Sequence, residues 1–312
     1  MHDLFCFRNS VLELNVSKSQ HSPNGTFKLG ATYVSSSHVN AAVLLYDNDN
    51  VYSWDFSSQN LTKLLSATLD HRFTDIKQII RIDDQNVLAL DTKSDAITYV
   101  SATNQTPEAL VCAKEGCCKG SIRCHISSSL DISKTAVLID TKKIVYFSDM
   151  SRIKKFSIGE SAIDPKVLVD FKTFVPGVSL IDSFTISKSY LRIFVLAKNV
   201  VYRYNIDSKV ISGKVVLKNE TIVQNIVSLT ENILLGKSGE AGAEPMVINF
   251  DNDSATTICN SKEIRFAKTT NVSRNMTNCR DLFEVGKMVY DGSYIYIMDS
   301  TKRIRAISIV EG

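Results

Sequence analysis

The sequence is poor in the patterns that mark helical and membrane-spanning proteins. Its 312 residues include 13 glycines, five prolines and a single tryptophan, and no run of 18 apolar residues occurs. Such a run would be needed for a helix to cross a membrane. No window of a dozen residues places apolar side chains at helical spacing between capping residues. We therefore expect neither a helical fold nor direct insertion into a membrane.

Residues and motifs for catalysis are also scarce. There are five histidines, and none lies in the last 187 residues, so a zinc site built from both halves of the chain would lack ligands. The sequence contains no phosphate-binding loop, no Gly-x-Gly-x-x-Gly and no Gly-x-Ser-x-Gly. Trp54 alone is too few for a WD-repeat protein, and the Asp box of sialidases is absent. We expect no catalytic residues and no required cofactor.

The charge balance excludes another class of function. Lysine and arginine total 36 against 33 acidic residues, which gives a net charge of +3. Nucleic-acid binding would need a more concentrated basic face. Hydrophobic residues make up 44% of the chain, which is ordinary for a globular protein with a proper core.

What the sequence does contain is a repeated pair of strands. An apolar run, a polar turn and a second, alternating run recur at intervals of about 40 to 60 residues. The six copies lie at 42–56, 87–101, 145–158, 193–206, 233–250 and 295–309. Most are preceded by a further strand and followed by a fourth, and four antiparallel strands at this period are typical of a propeller blade.

The repeat predicts an all-β fold with one domain over residues 1–312, a six-bladed β-propeller of four-stranded antiparallel blades. The last copy ends without a fourth strand, and the strand-like segment 4–16 has no other place. We expect this segment to pair with the C-terminal blade, because an open ring would leave raw sheet edges. Segment 4–16 also looks like a partial unit, so seven blades are the alternative.

Two copies resemble known propeller repeats. The stretch IVYFSDMSRIKKFSI, 144–158, resembles the YWTD repeat of lipoprotein-receptor-type propellers, and YDGSYIYIMDSTKRIRAISI, 290–309, is similar to an NHL repeat. The resemblance implies a structural role for Asp149 and Asp299, which would accept hydrogen bonds in the turn between the second and third strands. We expect Asp47 and Asp91 to do the same.

Seven cysteines are present, and four of them fall within CAKEGCCKGSIRC. A metal site is one interpretation of Cys112, Cys117, Cys118 and Cys124, but their spacing is irregular for zinc, and a disulfide-bonded loop is favoured. Cys117 and Cys118 should take different partners, because adjacent cysteines rarely bond each other. Cys259 and Cys279 would suit a further disulfide, which leaves Cys6 over.

Eight Asn-x-Ser/Thr motifs occur, roughly twice the number that chance would give. They are at Asn15, Asn24, Asn60, Asn104, Asn219, Asn252, Asn271 and Asn275. With the cysteines, they indicate an extracellular or secretory location. The first residues lack the features of a signal peptide. We expect either a domain of a larger secreted or membrane-anchored protein or, as the alternative, a cytosolic scaffold with accidental motifs.

Two further sets of charged residues are candidates for binding. Carboxylates in loops could hold Ca²⁺ as in lactonase-type propeller enzymes: Asp83, Asp84, Asp182 and Glu231. Basic residues on two third strands could form a patch for an acidic partner or a glycan: Arg152, Lys154, Lys155, Lys302, Arg303 and Arg305. Solvated turns and a solvated strand face are the simpler interpretations of both sets.

From these features we predict a non-enzymatic, extracellular, receptor- or adhesion-type propeller that binds another protein through one face. Rigid surfaces decorated with loops are suited to recognition. A calcium-dependent enzyme of the lactonase or lyase kind is the alternative.

Overall fold

The structure is a computed structural model, and it describes a defined part of the chain. The described residues are 5–8, 14–15, 28–29, 42–47, 50–55, 60–66, 76–83, 85–103, 107–140, 142–187, 189–218, 223–238, 245–257, 264–266, 287–290, 294–298 and 303–311. Within them the secondary structure is almost entirely β, as predicted, with two short 3₁₀ turns at Glu115–Cys118 and Phe171–Thr173. No helix among these residues has the length and apolar character needed to cross a membrane.

The strands form six sheets, which divide between two units of the chain. One unit is Ser22–Ile181, and the other combines Met1–His21 with Asp182–Gly312. The first two strands, β1 (Phe5–Arg8) and β2 (Leu14–Asn15), belong to the second of these units.

Three sheets lie in the unit Ser22–Ile181. The first sheet contains β3 (Lys28–Leu29), β4 (Ala42–Tyr46), β5 (Asn50–Asp55) and β6 (Asn60–Ser66). The second sheet contains β7 (Ile76–Arg81), β8 (Asn86–Asp91), β9 (Ala96–Ser101), β10 (Glu108–Cys112) and β11 (His125–Ile126). The third sheet contains β12 (Val137–Ile139), β13 (Ile144–Asp149), β14 (Arg152–Ser157) and β15 (Lys166–Asp170).

The other unit also contains three sheets. The fourth sheet has β16 (Ser183–Ile186), β17 (Arg192–Ala197), β18 (Val200–Asn205) and β19 (Val210–Val216). The fifth has β20 (Val223–Ser228), β21 (Ile233–Ser238), β22 (Met246–Asn249) and β23 (Ser254–Thr257). The sixth combines β1 and β2 with β24 (Ile264–Phe266), β25 (Lys287–Tyr290), β26 (Tyr294–Met298) and β27 (Arg303–Glu311).

All six predicted strand pairs are confirmed as antiparallel hairpins: β4–β5, β8–β9, β13–β14, β17–β18, β21–β22 and β26–β27. Four of the six sheets have four strands. The second sheet adds a parallel strand, β11, beside β10. The sixth adds β24 parallel to β1, and also β2, which pairs with β27.

Burial explains the two kinds of sequence in each hairpin. In β8, β13 and β17 every residue after the first is buried, as expected for a strand covered on both faces. In β14 and β18 only the second and fifth residues are buried, because a register irregularity within each strand interrupts strict alternation.

The core is distributed between sheets that follow each other in the chain. Side chains of the first and second sheets form one apolar cluster, and those of the second and third form another. In the other unit, Phe194 of the fourth sheet packs on Phe250 beside the fifth, with ring centroids 5.2 Å apart. Within each unit these sheets are thus stabilised by burial of apolar side chains against one another.

The predicted pairing of the N-terminal segment with the C-terminal blade is confirmed. Strand β1 runs antiparallel to β27, with Phe5 opposite Glu311 and Arg8 opposite Ser308. Hydrogen bonding to β1 thereby covers an edge of β27 that would otherwise be open.

Candidate functional site

The cysteine loop, residues 112–124, joins β10 to β11 in the second sheet. Cys112 ends β10, Cys117 and Cys118 lie in a 3₁₀ turn, and Cys124 immediately precedes β11. Two disulfides close the loop, Cys112–Cys117 and Cys118–Cys124. The adjacent cysteines take different partners, in agreement with the prediction.

An ion pair fastens the end of this loop to its base. Arg123 Nε donates to Glu108 Oε1 at 2.8 Å and Arg123 Nη2 donates to Oε2 at 2.5 Å. A third donor, Nη1, reaches the carbonyl of Ile158 at 2.8 Å, just after β14. The Ile163 amide donates to the carbonyl of Arg123 at 3.0 Å. The loop is therefore held against both the second and the third sheets.

This ion pair should make the stability of the protein depend on pH. Hydrogen bonds from Arg123 lower the pKa of Glu108 below its usual value. A lowered pKa in the folded state stabilises the fold above the unfolded-state pKa, and this contribution is lost as the pH falls through the folded-state pKa. On acidification, we expect the unfolding free energy of the wild type to fall by about 1 kcal/mol more than that of Glu108→Gln.

Urea denaturation at a series of pH values measures this difference. The matched control is Glu115→Gln, since Glu115 is an exposed carboxylate of the same loop. Its pH profile should follow the wild type. Parallel profiles for Glu108→Gln and the wild type would show that the ion pair contributes nothing to folding.

The outer side of the loop exposes an apolar residue among cations. Ile122 is 97% exposed, the most exposed large apolar side chain among the described residues, and Ile126 is also exposed. Lys114 and Lys119 are exposed on the same loop. The loop therefore exposes a large apolar side chain and two lysines on a backbone constrained by two disulfides.

A buried ion pair lies beside the base of the loop. Asp149, at the end of β13, is 1% exposed, and its Oδ2 accepts from Lys154 Nζ at 2.5 Å and from Ser127 Oγ at 2.7 Å. Lys154 also donates to Ser127 Oγ at 3.1 Å. The Ser127 amide in turn donates to the carbonyl of Cys112 at 2.7 Å. The network thus joins the second and third sheets directly under the first cysteine.

The surroundings keep Asp149 charged. Burial alone would raise the pKa of Asp149, but hydrogen bonds from Lys154 and neighbouring serine hydroxyls outweigh it, and the pKa lies below its usual value. Burial and the positive charge of Lys154 lower the pKa of His125, which begins β11. Asp149 is consequently a carboxylate, and His125 is neutral at neutral pH.

The structural role carried over from the repeat resemblance is met at two of the four aspartates. Asp47 Oδ1 accepts from the amide of Asn50 at 2.7 Å, and Asp91 Oδ1 accepts from the amides of Lys93 and Ser94 at 2.9 and 3.2 Å. For Asp149 the role is corrected: its described hydrogen bonds are accepted from the side chains of Lys154 and Ser127. Asp299 lies outside the described residues.

Other turns use residues that the repeat did not single out. Asp140 accepts from the amides of Lys142 and Ile144, both at 2.9 Å. Asn205, the last residue of β18, accepts from the amides of Asp207 and Ser208. Short polar residues directly after a strand are the sequence signal that could have located these turns.

The first half of the predicted basic patch is also corrected, because two of its three residues form ion pairs. Arg152 pairs with Asp170, Nε to Oδ2 at 3.0 Å, and Lys154 points into the buried pair. Lys155 is half-buried on the same strand. Arg303 and Arg305 lie in β27, where only the backbone is described, and Lys302 lies outside the described residues.

The remaining sequence candidates are placed as follows. Asn252 is exposed in the turn before β23, and its Oδ1 accepts from Ser254 Oγ at 2.5 Å. Asn15 is in β2, Asn60 begins β6 and Cys6 is in β1, with only their backbones described. Those outside the described residues are Asn24, Asn104, Asn219, Asn271, Asn275, Cys259 and Cys279.

The loop carboxylates predicted as calcium ligands make local contacts. Asp83 accepts from the Gln85 amide and the Asn86 side chain, and its second oxygen pairs with Lys143. Asp182 accepts from the amide of Lys198, and Glu231 from the amide of Ser189. Each carboxylate serves a local contact, and Asp84 lies outside the described residues. The described group with the spacing of metal ligands consists of Cys112, Cys118 and Cys124.

No protein-family model matches this chain, and no curated protein matches it. Solved structures do match. A chain of a mitotic checkpoint complex is 8% identical, with 98% of this chain matching 93% of that one at a TM-score of 0.55. Streptogramin B lyase is 10% identical, with 94% of this chain matching all of that chain (100%) at a TM-score of 0.53. A protein of unknown function from Bacteroides thetaiotaomicron is 11% identical, with coverages of 93% and 73% and a TM-score of 0.52.

These identities show the fold alone. One of the similar chains comes from a protein assembly and another is a lyase, so the fold is compatible with both binding and catalysis. The strand order, the sheet pairing and these similarities agree on one conclusion: the chain has an all-β propeller fold of four-stranded antiparallel sheets.

Proposed function

We propose that this chain is a six-bladed propeller of the YWTD or NHL type that binds another protein in an extracellular compartment, and that the cysteine loop is part of the contact surface. The observation that carries the proposal is Ile122, whose side chain is 97% exposed on a loop closed by two disulfides. Covering this side chain with a partner would remove its apolar surface from water, which favours binding.

The build of the loop favours binding over a purely structural role. A loop that is already constrained loses little conformational entropy when a partner docks. The two disulfides and the ion pair of Arg123 with Glu108 supply that constraint. Exposed Lys114 and Lys119 on the same loop as Ile122 favour a partner that offers both an apolar pocket and acidic groups.

The extracellular location is supported by the disulfides, which persist in oxidising compartments, and by the exposed Asn252 motif. Expression in a eukaryotic secretory host tests it. We expect a mass that falls on glycosidase treatment and a mobility that changes on reduction. Secreted protein with free thiols and no glycan would contradict the extracellular location.

The binding proposal is tested with the purified chain presented as a multivalent probe to a panel of individually expressed ectodomains. Ile122→Asp should weaken binding to the identified partner at least tenfold, about 1.4 kcal/mol. The matched control is Val167→Asp, because Val167 is a 54% exposed apolar residue on β15. A partner that binds wild type and Ile122→Asp equally would remove the loop from the interface.

A further inference from the structure

The sulfur atoms of the cysteine loop converge more closely than two independent disulfides require. The Sγ atoms of Cys112, Cys118 and Cys124 all lie within 4.8 Å of one another, although Cys112 is bonded to Cys117 and not to either of the others. In a tetrahedral zinc site, Zn–S bonds of about 2.3 Å place the sulfurs about 3.8 Å apart. The sulfur of Cys112 thus lies near zinc-ligand spacing from those of Cys118 and Cys124, which are bonded to each other and would separate on reduction.

We propose that the reduced loop binds one Zn²⁺ through the thiolates of Cys112, Cys118, Cys124 and Cys117. Thiolates are soft ligands that select zinc over magnesium or calcium. Cys117 is assigned the fourth position because its sulfur already reaches that of Cys112 in the disulfide. This site goes beyond the proposed protein binding, which concerns the oxidised loop.

The backbone is arranged to keep the ligands together after reduction. Cys112 and Cys124 stand at the ends of β10 and β11, whose ladder pairs Val111 with His125. Two further contacts hold these strands, Ser127 N to Cys112 O at 2.7 Å and the ion pair of Arg123 with Glu108. None of these contacts depends on the disulfides, so the reduced loop keeps its ligands near one another.

The partial burial of the cysteines also suits a bound metal. Cys112 is fully buried, and Cys118 and Cys124 are half-buried. A metal held by these sulfurs would be covered on the side of the sheet and reachable from the outer side of the loop. That combination provides an entry path together with partial exclusion of water.

The chemistry requires a reductant. Each disulfide takes up two electrons and two protons from a dithiol, which becomes a disulfide itself, and the two bonds yield four thiols. Zn²⁺ then replaces the four thiol protons, which pass to the buffer. Metal binding should therefore release protons and protect the thiols from reoxidation.

The test uses the full chain reduced by a phosphine, which takes one water per disulfide to become its oxide and offers no competing thiol. Competition with a chromophoric chelator should show one Zn²⁺ per reduced chain and none on the oxidised chain. Substitution of Co²⁺ should give the thiolate charge-transfer absorption and the visible bands of tetrahedral coordination. Cys118→Ser and Cys124→Ser should each weaken zinc binding at least 100-fold, whereas Cys6→Ser should leave it unchanged.

Circular dichroism distinguishes a loss of zinc binding from unfolding of the reduced chain. The reduced chain should keep its β signal, or regain it when zinc is added. A reduced wild type that binds no zinc, a Cys118→Ser variant that binds it as the wild type does, or a loss of β signal that zinc does not restore would each overturn the proposal. Partner binding by the oxidised chain is measured separately, so failure of the metal site is distinguishable from failure of the proposed function.

Discussion

Replacing Lys154 by methionine should lower the free energy of unfolding by about 3–5 kcal/mol. The methionine keeps most of the side-chain volume but removes the cation that faces Asp149 at 2.5 Å. The carboxylate, which is 1% exposed, would then be left charged without its partner or would have to take up a proton. Either outcome costs far more than the loss of an ion pair in water.

Urea denaturation followed by circular dichroism measures the effect. Arg152→Met is the matched control. Arg152 lies two residues before Lys154 on the same strand and forms an ion pair with Asp170, but half of the Arg152 side chain is exposed. We expect that variant to lose less than about 1 kcal/mol. The double variant Asp149→Leu with Lys154→Met should recover much of the loss, because an apolar pair needs no charge partner. Equal losses for Lys154→Met and Arg152→Met would show that the buried pair has no special role.

Replacing Phe147 by alanine should cost a similar amount, about 3–5 kcal/mol. Phe147 is fully buried in β13 and belongs to the apolar cluster between the second and third sheets. Its ring meets that of Phe156 edge-on, with centroids 6.0 Å apart. Truncation removes apolar surface that folding takes out of water, and it leaves a cavity in a region where two sheets meet.

The control for this prediction is Phe174→Ala. Phe174 follows the 3₁₀ turn after β15 and is 41% exposed, so its truncation should cost less than about 1 kcal/mol. Phe147→Leu should fall between the two, because most of the volume is kept. A loss for Phe147→Ala no larger than that for Phe174→Ala would mean that the cluster relaxes around the missing ring.

The hairpins could be predicted from sequence because their signals are local. A strand buried on both faces is apolar throughout, its partner alternates, and a short polar residue marks the turn. Strands β11 and β24 carry no such signal. They have two and three residues, and both pair in parallel, β11 with the preceding strand across the cysteine loop and β24 with β1 at the far end of the chain. Only the tertiary structure brings them to the sheet.

Local sequence signals predict only part of the buried pair of Asp149 and Lys154. The tight turn of β13 and β14 places Asp149 opposite Arg152, so Lys154 is a diagonal neighbour on the same face. That much follows from the hairpin. Its burial depends on Ser127, which comes from the second sheet and lies 22 residues away in sequence, so the sequence alone suggests a solvated basic strand. The cysteine pairing is similar: four cysteines allow three connectivities, the adjacency of Cys117 and Cys118 excludes one of them, and spacing does not choose between the other two.

The ladder between β1 and β27 has a mechanical consequence. Phe5 and Glu311 face each other across it, and the strands run in opposite directions from there. A pull applied to residues 5 and 311 would load the bonds of this ladder one after another, as in opening a zipper, and not all together as in shear. Because each hydrogen bond contributes only about 1 kcal/mol, the ladder between β1 and β27 would open at low tension, while β1 stays paired with β24.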